Sequence, residues 1–358
     1  MKQDILQKEF SEKYIEGPQK TCFNISVRFG KTRMAILILQ KLKAENILIL
    51  YPEVNIKKAW EEEFEKMEWI PSNVTYSTYL SVKKNTGVYD FVIADEIQKA
   101  SENALYNIKN LLNINNKFIG LSGTYSQKTI EELKYICNLE ISETYDTEEA
   151  IDDNIIANYN IIIKNYHVNN TDSYLKTTKY KKWLTTEKQE LNRLSHRVKT
   201  SSGMQLKFAA LARMRWVNSC NSLLKEVKNL LIDLKDNRYI LYGADIKFVD
   251  SLGIPTYHSE NKKLNNLSLF LEKKIDKLAL IQLATAGITF PNLDTVVITN
   301  INSNSENLFQ KLGRSLLLEK NKISNIYIFC SYEQFQRKWL EKALIDVPQN
   351  KIKNVYEN

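Results

Sequence analysis

The sequence predicts an α/β protein with two lobes, each a parallel β-sheet flanked by helices, joined by a mainly helical insertion. Three observations support this fold class. The chain has 358 residues, which exceeds one ordinary core and suits two lobes of common domain size. Short, nearly continuous apolar runs indicate strands that are buried on both faces of a parallel sheet. Longer amphipathic stretches follow these runs, which is the rhythm of repeated βαβ units.

The predicted first lobe covers residues 1–145. Its strands are the apolar runs 22–27, 46–51, 74–76, 91–94 and 118–121. Its helices are the amphipathic stretches 32–42, 56–67, 103–112 and 130–137. A helix between successive strands is the connection that parallel pairing requires, so the pattern predicts a parallel sheet.

The middle of the chain, residues 146–235, has a different pattern. One predicted strand at 159–163 precedes a polar, lysine-rich stretch with helical character at 179–199 and 206–234. We interpret this region as a connector with a helical insertion. The β/α rhythm then resumes in a predicted second lobe over residues 236–358.

The second lobe has the same kinds of element as the first. Its predicted strands are 239–242, 256–258, 279–282, 295–299 and 326–329. Its predicted helices are 261–271, 305–312 and 333–344. No internal repeat is visible in the sequence, so the likeness of the two lobes rests on this rhythm.

The composition is that of a globular soluble protein, with 43% hydrophobic and 26% charged residues. No run approaches the length of a membrane span, and the N-terminus lacks an apolar signal core. Four cysteines lie far apart without a CxxC pair, which argues against a zinc site or a disulfide framework. We therefore expect a cytoplasmic protein with no membrane partner.

The net charge of +8 and the sequence pI near 9.0 favour a polyanionic partner. A lysine-rich surface from an AT-rich genome explains the charge equally well. Two local features are also open. The basic stretch 176–188 can contact a phosphate backbone, although a solvated helix face is the favoured interpretation. Arg213 and Arg215 can bind nucleic acid or pair with local acids.

The first candidate site is the segment SVRFGKTR. A predicted strand ends, a turn holds Arg28, Phe29 and Gly30, and a helix opens at Lys31. N–H groups at a helix N-terminus carry partial positive charge and hold phosphate oxygens. Lys31 adds a charge near the β- and γ-phosphates, and Thr32 can place its hydroxyl on Mg²⁺. Arg33 completes this predicted nucleotide-binding set.

Two further sites follow apolar strands of the same predicted sheet. Asp95 and Glu96 end the run DFVIADE, at the sheet edge where ligands bind in α/β proteins. Asp95 is positioned to hold Mg²⁺, and Glu96 to orient or deprotonate a water. Ser122 and Thr124 in LSGT follow the next strand, where hydroxyls can bond the carboxylates of the acidic pair and sense the nucleotide state. Each motif alone also fits an ordinary turn or helix start, but their common order makes three accidents improbable.

With these motifs the chain resembles the superfamily-2 helicases and translocases, the broad group that includes DEAD/H-box and Snf2-like motors. SVRFGKT, LILYPEVNIKKAWEEEF, DEIQ and SGT are similar to motifs I, Ia, II and III. RYILYGAD, ATAGITFPNLDTVVI and LFQKLGRSLL are similar to motifs IV, V and VI. The resemblance covers nearly the whole chain. It implies two tandem RecA-like lobes, with ATP between them and nucleic acid across their top.

The resemblance also implies roles for further residues. The nucleic-acid contacts fall in two loops of the first lobe: Pro52, Glu53, Ser77, Thr78 and Tyr79. Gly287 allows a close approach of the backbone to phosphate. Gln310 and Arg314 lie one helical turn apart and face the cleft, where an arginine stabilises the γ-phosphate in the transition state.

The chain departs from the family pattern at several motif positions. Ile25 occupies the place of the first phosphate-loop glycine, and Gln98 the place of Asp or His in motif II. Thr289 replaces the acidic residue of motif V, and Leu317 replaces the arginine that often acts as the finger.

The glutamine that reads adenine in the family has two candidates, Gln7 and Gln19.

The function implied by the resemblance is that of an ATP- and Mg²⁺-dependent helicase or translocase, similar to compact DNA helicases encoded by phages. DNA is favoured over RNA as the polymer, and a monomer is favoured. Two alternatives are a translocase that moves on duplex without separating strands, and a nucleic-acid-binding clamp with a weakened ATPase. Leu317 and Ile25 motivate the clamp.

Overall fold

The computed structural model describes residues 2–26, 28–112, 115–123, 125–177, 181–261, 265–281, 290, 293, 295–301, 323–344 and 347–355. The chain divides into two compact units, Met1–Ile156 and Ala157–Asn358, called units 1 and 2 below. Each unit is built on a parallel sheet flanked by helices, which confirms the predicted fold class.

Unit 1 has one parallel sheet with the order β3-β2-β4-β5-β1-β6. Its strands are β1 (Lys20–Ile25), β2 (Asn46–Tyr51), β3 (Asn73–Thr78), β4 (Phe91–Asp95), β5 (Lys117–Ser122) and β6 (Ile141–Tyr145). Its helices are α1 (Lys2–Glu16), α2 (Lys31–Leu42), α3 (Asn55–Lys66), α4 (Glu102–Leu111), α5 (Gln127–Glu132) and α6 (Thr147–Asp152). Short 3₁₀ turns cover Tyr79–Lys84 and Ile97–Lys99, and a π turn covers Leu133–Cys137.

The predicted strands of unit 1 form because their side chains are buried on both faces. All five residues of β4 are buried, as are the last five of β2. Such apolar runs are stable only in a sheet covered on both sides. Since the strands are parallel, their carboxyl ends meet at one edge, and this edge carries the loops after β1, β2, β3, β4 and β5.

Unit 2 has a parallel sheet with the order β11-β12-β10-β13-β14-β7-β15 and a separate antiparallel hairpin of β8 and β9. Its strands are β7 (Asn158–Tyr166), β8 (Ser173–Thr177), β9 (Lys182–Thr186), β10 (Tyr239–Gly243), β11 (Thr256–Tyr257), β12 (Lys277–Ile281), β13 (Thr295–Ile298), β14 (Ile323–Ser331) and β15 (Ile352–Val355). Its helices are α7 (Glu187–Thr200), α8 (Gly203–Val217), α9 (Asn221–Asp233), α10 (Ile246–Asp250), α11 (Asn266–Leu271) and α12 (Gln334–Ala343). A 3₁₀ turn covers Gln349–Lys351.

The insertion differs from its sequence-based expectation in two places. The helix predicted over 179–199 begins only at Glu187, because the aromatic and β-branched residues before it form β9. Thr186 and Gln189 form a capping box that fixes this helix start. The helical stretch predicted over 206–234 is two helices, α8 and α9, separated by residues 218–220. The helix predicted over 305–312 lies outside the described residues.

Within the described parts of both units, no helix is long and apolar enough to cross a membrane.

The start of α7 is tied to the start of α9 through the carboxylate of Glu187. The side chain is 6% exposed and accepts hydrogen bonds from the backbone N–H groups of Asn221 (2.6 Å) and Ser222 (3.1 Å). The Ser222 hydroxyl also donates to it. These N–H groups open α9 and have no partner within that helix, so a carboxylate both satisfies them and complements the helix dipole.

Replacing Glu187 tests this anchor. Glu187→Ala is expected to lower the free energy of unfolding by about 1–3 kcal/mol, because charged hydrogen bonds to buried N–H groups are lost. Urea unfolding measures the change. Glu260→Ala removes an exposed carboxylate from the same unit and should change stability by less than about 0.5 kcal/mol. Equal effects of the two variants would contradict the role given to Glu187.

Candidate functional site

The loop between β1 and α2 is shaped to receive an anion. Arg28 and Gly30 both have left-handed backbone conformations, with φ of 69° and 84°. Gly30 is the N-cap residue of α2, and no side chain caps the helix. The first N–H groups of a helix have no intrahelical partner, and left-handed residues turn further N–H groups into a concave nest. The loop therefore has the backbone geometry that binds phosphate groups.

Two glutamines of α1 hold this loop from the side. The Gln3 amide donates to the carbonyl oxygens of Arg28 and Phe29, both at 2.9 Å. The Gln7 amide donates to the Phe29 carbonyl oxygen at 2.6 Å. Because both glutamines donate to carbonyl oxygens of the loop, they fix its curvature without occupying its N–H groups. Sequence reasoning missed the role of Gln3, although its spacing of four from Gln7 places the two on one helix face.

The two glutamines that were candidates for reading adenine differ in position. Gln7 is 2% exposed, and its Oε1 has no hydrogen-bond partner among the described residues. Gln19 instead precedes β1 and donates to the carbonyl oxygens of Tyr14 and Ile15. It lies at the opposite edge of the sheet from the phosphate-binding loop. Of the two, only Gln7 lies beside this loop.

Phe29 and Gly30 serve the loop in different ways. The Phe29 ring is fully buried and packs against Phe10 and Tyr145, at centroid distances of 5.3 and 5.0 Å. Its side chain therefore anchors the loop in the core, and only its backbone can face a ligand. Two features favour glycine at position 30. Its positive φ is unfavourable for residues with a side chain, and a Cβ there would lie 2.3 Å from the Gln7 amide nitrogen.

The first turn of α2 presents the side chains that were predicted to bind the nucleotide. The Lys31 amine lies 3.5 Å from Glu96 Oε1, with the Lys31 side chain 12% exposed. Thr32 is half-buried in the same turn. Arg33 points elsewhere, because its guanidinium lies 3.9 Å from the carboxylate of Glu63 on α3. The structure therefore brings Lys31 to the acidic pair and keeps Arg33 at a different surface.

The acidic pair lies where β4 ends. Asp95 is the last residue of the strand and is 8% exposed, whereas the Glu96 side chain is 23% exposed. Glu96 has a left-handed φ of 52°, which turns the chain sharply after the strand. The Trp60 indole donates to Asp95 Oδ2 at 3.0 Å, and the Gln98 amide donates to Glu96 Oε2 at 2.5 Å. Each carboxylate therefore has its own neutral donor, and Lys31 adds a positive charge at Glu96.

These surroundings shift the two carboxyl groups in opposite directions. Burial raises the pKa of Asp95 to about 6, the Glu96 charge adds to the rise, and Lys31 and the Trp60 indole oppose it. Burial also acts to raise the pKa of Glu96, but the Lys31 charge and the Gln98 hydrogen bond outweigh it and hold that pKa below its usual value. On acidification Asp95 is therefore the first of the pair to take a proton.

The two loops predicted to contact nucleic acid are unequal in exposure. Glu53 is exposed, and Pro52 and Thr78 are half-buried. Ser77 and Tyr79 are buried, at 7% and 6% exposure. Of the five predicted contact residues, Glu53, Pro52 and Thr78 are therefore the accessible ones.

Both loops are connected to Asp95 by hydrogen bonds. Trp60, in the helix after the Pro52 loop, is fully buried and donates to the carboxylate of Asp95. The Tyr79 hydroxyl donates to the main-chain carbonyl oxygen of Asp95 at 2.7 Å. Trp60 also packs at 6.0 Å from the Phe64 ring, and sequence spacing gives no means to identify the polar partner of its N–H group.

The remaining predicted residues are only partly within the described chain. Ser122 is fully buried at the end of β5, one residue beyond Leu121, which is the register partner of Asp95. Thr124, Gly287, Gln310 and Arg314 lie outside the described residues, as do Thr289 and Leu317.

No protein-family model matches the sequence, and a search of curated proteins finds no match. Solved structures are similar in fold. The structure of S. cerevisiae Dbp5 bound to RNA and ADP BeF3 has a TM-score of 0.60 at 10% identity, over 98% of this chain and 88% of that chain. The Pyrococcus furiosus Hef helicase domain has a TM-score of 0.54 at 12% identity, over 94% of this chain and 96% of that chain.

A third similar structure is that of the DUF1998 helicase MrfA bound to DNA and AMPPNP. Its TM-score is 0.59 at 10% identity, over 95% of this chain and 49% of that chain, so this chain spans about half of that protein. Identities this low show the fold and leave the activity open. The two parallel-sheet units therefore have the fold of tandem RecA-like helicase lobes.

Proposed function

We propose that the chain is an ATP-dependent nucleic-acid motor, which binds and hydrolyses ATP at the phosphate-binding loop of unit 1 and moves on a nucleic-acid strand. The observation that carries the proposal is the approach of Lys31 to Glu96 at 3.5 Å, beside the uncapped start of α2. Catalysis of phosphoryl transfer is mainly positioning and electrostatic stabilisation. The site supplies the parts for this: the cation of Lys31, the anion-binding start of α2, and the carboxylates of Asp95 and Glu96.

A magnesium ion fits this site only together with a nucleotide. Among the described residues, no cluster of three or more His, Cys, Asp or Glu side chains can hold a metal. Mg²⁺ commonly keeps several waters and binds one or two carboxylates together with substrate phosphates. Asp95 and the Thr32 hydroxyl would be its protein ligands here, and the ion would neutralise phosphate charge. The expected ligand is therefore the Mg²⁺ complex of the nucleotide.

Glu96 is the residue that would act on the attacking water. Its lowered pKa keeps it ionised at neutral pH, and the Gln98 amide fixes one of its oxygens. A carboxylate that is ionised and oriented in this way can accept a proton from water or hold the water in line. Lys31 would meanwhile leave Glu96 for the β- and γ-phosphates, so that nucleotide binding exchanges one anionic partner of the lysine for another. Gln310 and Arg314 remain predicted contributors from the second half of the chain.

The polymer is proposed to be DNA. The structures similar in fold are bound to RNA in one case and to DNA in another, so the fold favours neither. The preference for DNA rests on the Trp-containing helix of motif Ia and on motif VI, which resemble those of DNA translocases. The net charge of +8 is compatible with either polymer.

Removing the charges of the site tests the ATPase. Lys31→Ala should lower ATP turnover at least about 100-fold, because a charge that stabilises the transferred phosphate is lost. Glu96→Gln should lower turnover by about 100-fold to 10,000-fold while nucleotide binding is kept, because the group that acts on water is lost. Turnover is measured with and without single-stranded DNA, duplex DNA and RNA.

Two matched variants accompany this test. Lys41→Ala removes a lysine from the other end of α2, and Glu102→Gln neutralises an exposed glutamate at the start of α4. Both should retain turnover. A wild-type protein without polymer-stimulated turnover, and without change in Lys31→Ala or Glu96→Gln, would support the clamp with a weakened ATPase instead.

The affinity for the Mg²⁺–nucleotide complex should fall as the pH drops through about 6, because Asp95 binds the cation only when ionised. Below that pH the ionised fraction falls about tenfold per pH unit. Trp60→Phe should move this midpoint to higher pH, since the indole N–H favours the charged carboxylate. The measurement is the dissociation constant of a non-hydrolysable Mg²⁺–nucleotide between pH 5 and 8.

The control is Trp69→Phe, because Trp69 also packs on Phe64, whereas the indole that donates to Asp95 is that of Trp60. Protonation of the nucleotide itself is common to all variants, so the difference between them isolates Asp95. Identical midpoints for Trp60→Phe and Trp69→Phe would contradict the function given to the indole.

The kind of motor is tested by displacement assays. We expect ATP-dependent displacement of a strand from a partial DNA duplex, and no displacement by Lys31→Ala. Displacement of a third strand from a triplex, without separation of a duplex, would identify the alternative, a duplex translocase.

A further inference from the structure

Helix α8 presents a stripe of apolar and basic side chains to solvent. Met204, Phe208 and Leu211 are 70%, 65% and 42% exposed, and Lys207 and Arg215 are exposed as well. At about 100° per residue these five side chains fall within an arc of about 100° on the helix. We call them the α8 stripe. An exposed apolar stripe on a helix is uncommon, because such side chains ordinarily face the core.

The opposite face of α8 holds the helix to unit 2. Ala209 and Val217 are buried, and the Arg213 guanidinium lies 4.1 Å from the centre of the Phe335 ring. The Tyr166 hydroxyl donates to the Val217 carbonyl oxygen at 3.2 Å. Since these contacts lie across the helix from the α8 stripe, the stripe faces away from the body of the unit.

The chain segment that contains the stripe has charges of one sign, and the nearest acids before it in sequence, Glu187 and Glu190, are buried. Residues 191–225 contain no Asp or Glu. They contain seven basic residues: Arg193, Arg197, Lys199, Lys207, Arg213, Arg215 and Lys225. Within the part of the chain that the structure describes, neither Lys207 nor Arg215 has a carboxylate within ion-pair distance. Positive and negative side chains are usually mixed on a surface that only keeps a protein soluble, so a long stretch without acidic residues is unexpected there.

We propose that the α8 stripe is a contact site for single-stranded nucleic acid. A single strand presents phosphates and unstacked bases together, which matches cations alternating with an aromatic and an apolar side chain on one helix face. In a duplex the base faces are covered, so Phe208 and Met204 would have no partner. This site is separate from the phosphate-binding loop, and it goes beyond the proposed motor function by assigning unit 2 a polymer contact of its own.

Two variants separate the electrostatic part from the stacking part. Lys207→Ala/Arg215→Ala should reduce the slope of log affinity against log salt by about 1.4, since each phosphate contact on a single strand contributes about 0.7. Phe208→Ala should weaken binding about tenfold and leave the salt slope unchanged, because stacking does not release counterions. Affinity is measured by fluorescence anisotropy with a labelled mixed-sequence single strand, without nucleotide, over a range of salt concentrations.

The matched control is Lys228→Ala/Lys342→Ala, which removes the same charge from exposed positions on α9 and α12 of the same unit. This control should retain the wild-type slope. An equal change of slope in both double variants would show that only the overall charge matters and would overturn the site. Unchanged affinity in Phe208→Ala, or no binding of a single strand by the wild-type protein, would overturn it as well.

The alternative occupant is a second copy of the chain. If sedimentation shows a dimer that Phe208→Ala dissociates, the α8 stripe is a protein interface and the proposal is overturned. Failure of the motor function has a different signature, because it would appear as absent ATP turnover in the wild-type protein with the binding differences between variants preserved.

Discussion

The site of unit 1 depends on how the buried carboxylate of Asp95 is stabilised. An ionised Asp95 in the interior is costly unless donors replace the water it has lost. The Trp60 indole supplies one hydrogen bond, and Lys31 supplies an opposing charge through its place beside Glu96. The remaining cost is visible as a pKa of about 6 for Asp95. A cation bound at this carboxylate would lower that cost, which supports the proposal that the ligand is a Mg²⁺–nucleotide complex.

The same residue, Asp95, links the parts of unit 1 that would handle different ligands. Helix α3 follows the Pro52 loop and reaches the Asp95 carboxylate through Trp60, while Tyr79 follows Thr78 and reaches the main-chain carbonyl oxygen of Asp95. A shift of either loop on binding a strand would therefore act on Asp95, at its side chain through Trp60 or at its main chain through Tyr79. Through these two hydrogen bonds, binding of a polymer could alter nucleotide turnover.

Sequence predicted the elements of the fold well where burial determines them. The apolar runs around Ile93 and Ile49 are central strands, and the order of motifs placed Lys31 and Glu96 at one sheet edge. It did not predict that Gln3 holds the phosphate-binding loop or that Trp60 donates to Asp95, because both residues come from helices whose orientation is set by packing. The sequence-based prediction was wrong for residues 182–186, which were included in one helix over 179–199. These residues form a strand, and the capping box at Thr186 begins the helix after it.

Arg213 and Arg215 show why helix phase must be known before a basic residue can be given a role. From sequence the two are equivalent, and both polymer binding and local pairing were open for them. The structure separates them by half a helical turn: Arg213 lies over Phe335, and Arg215 points outward with Phe208 and Lys207. The Arg213–Phe335 contact, together with the buried Ala209 and Val217, sets the orientation of the helix, and this orientation holds Arg215 and its apolar neighbours in solvent. The α8 stripe is therefore a consequence of the packing on the opposite face, and its apolar exposure is the feature that a bound strand would explain.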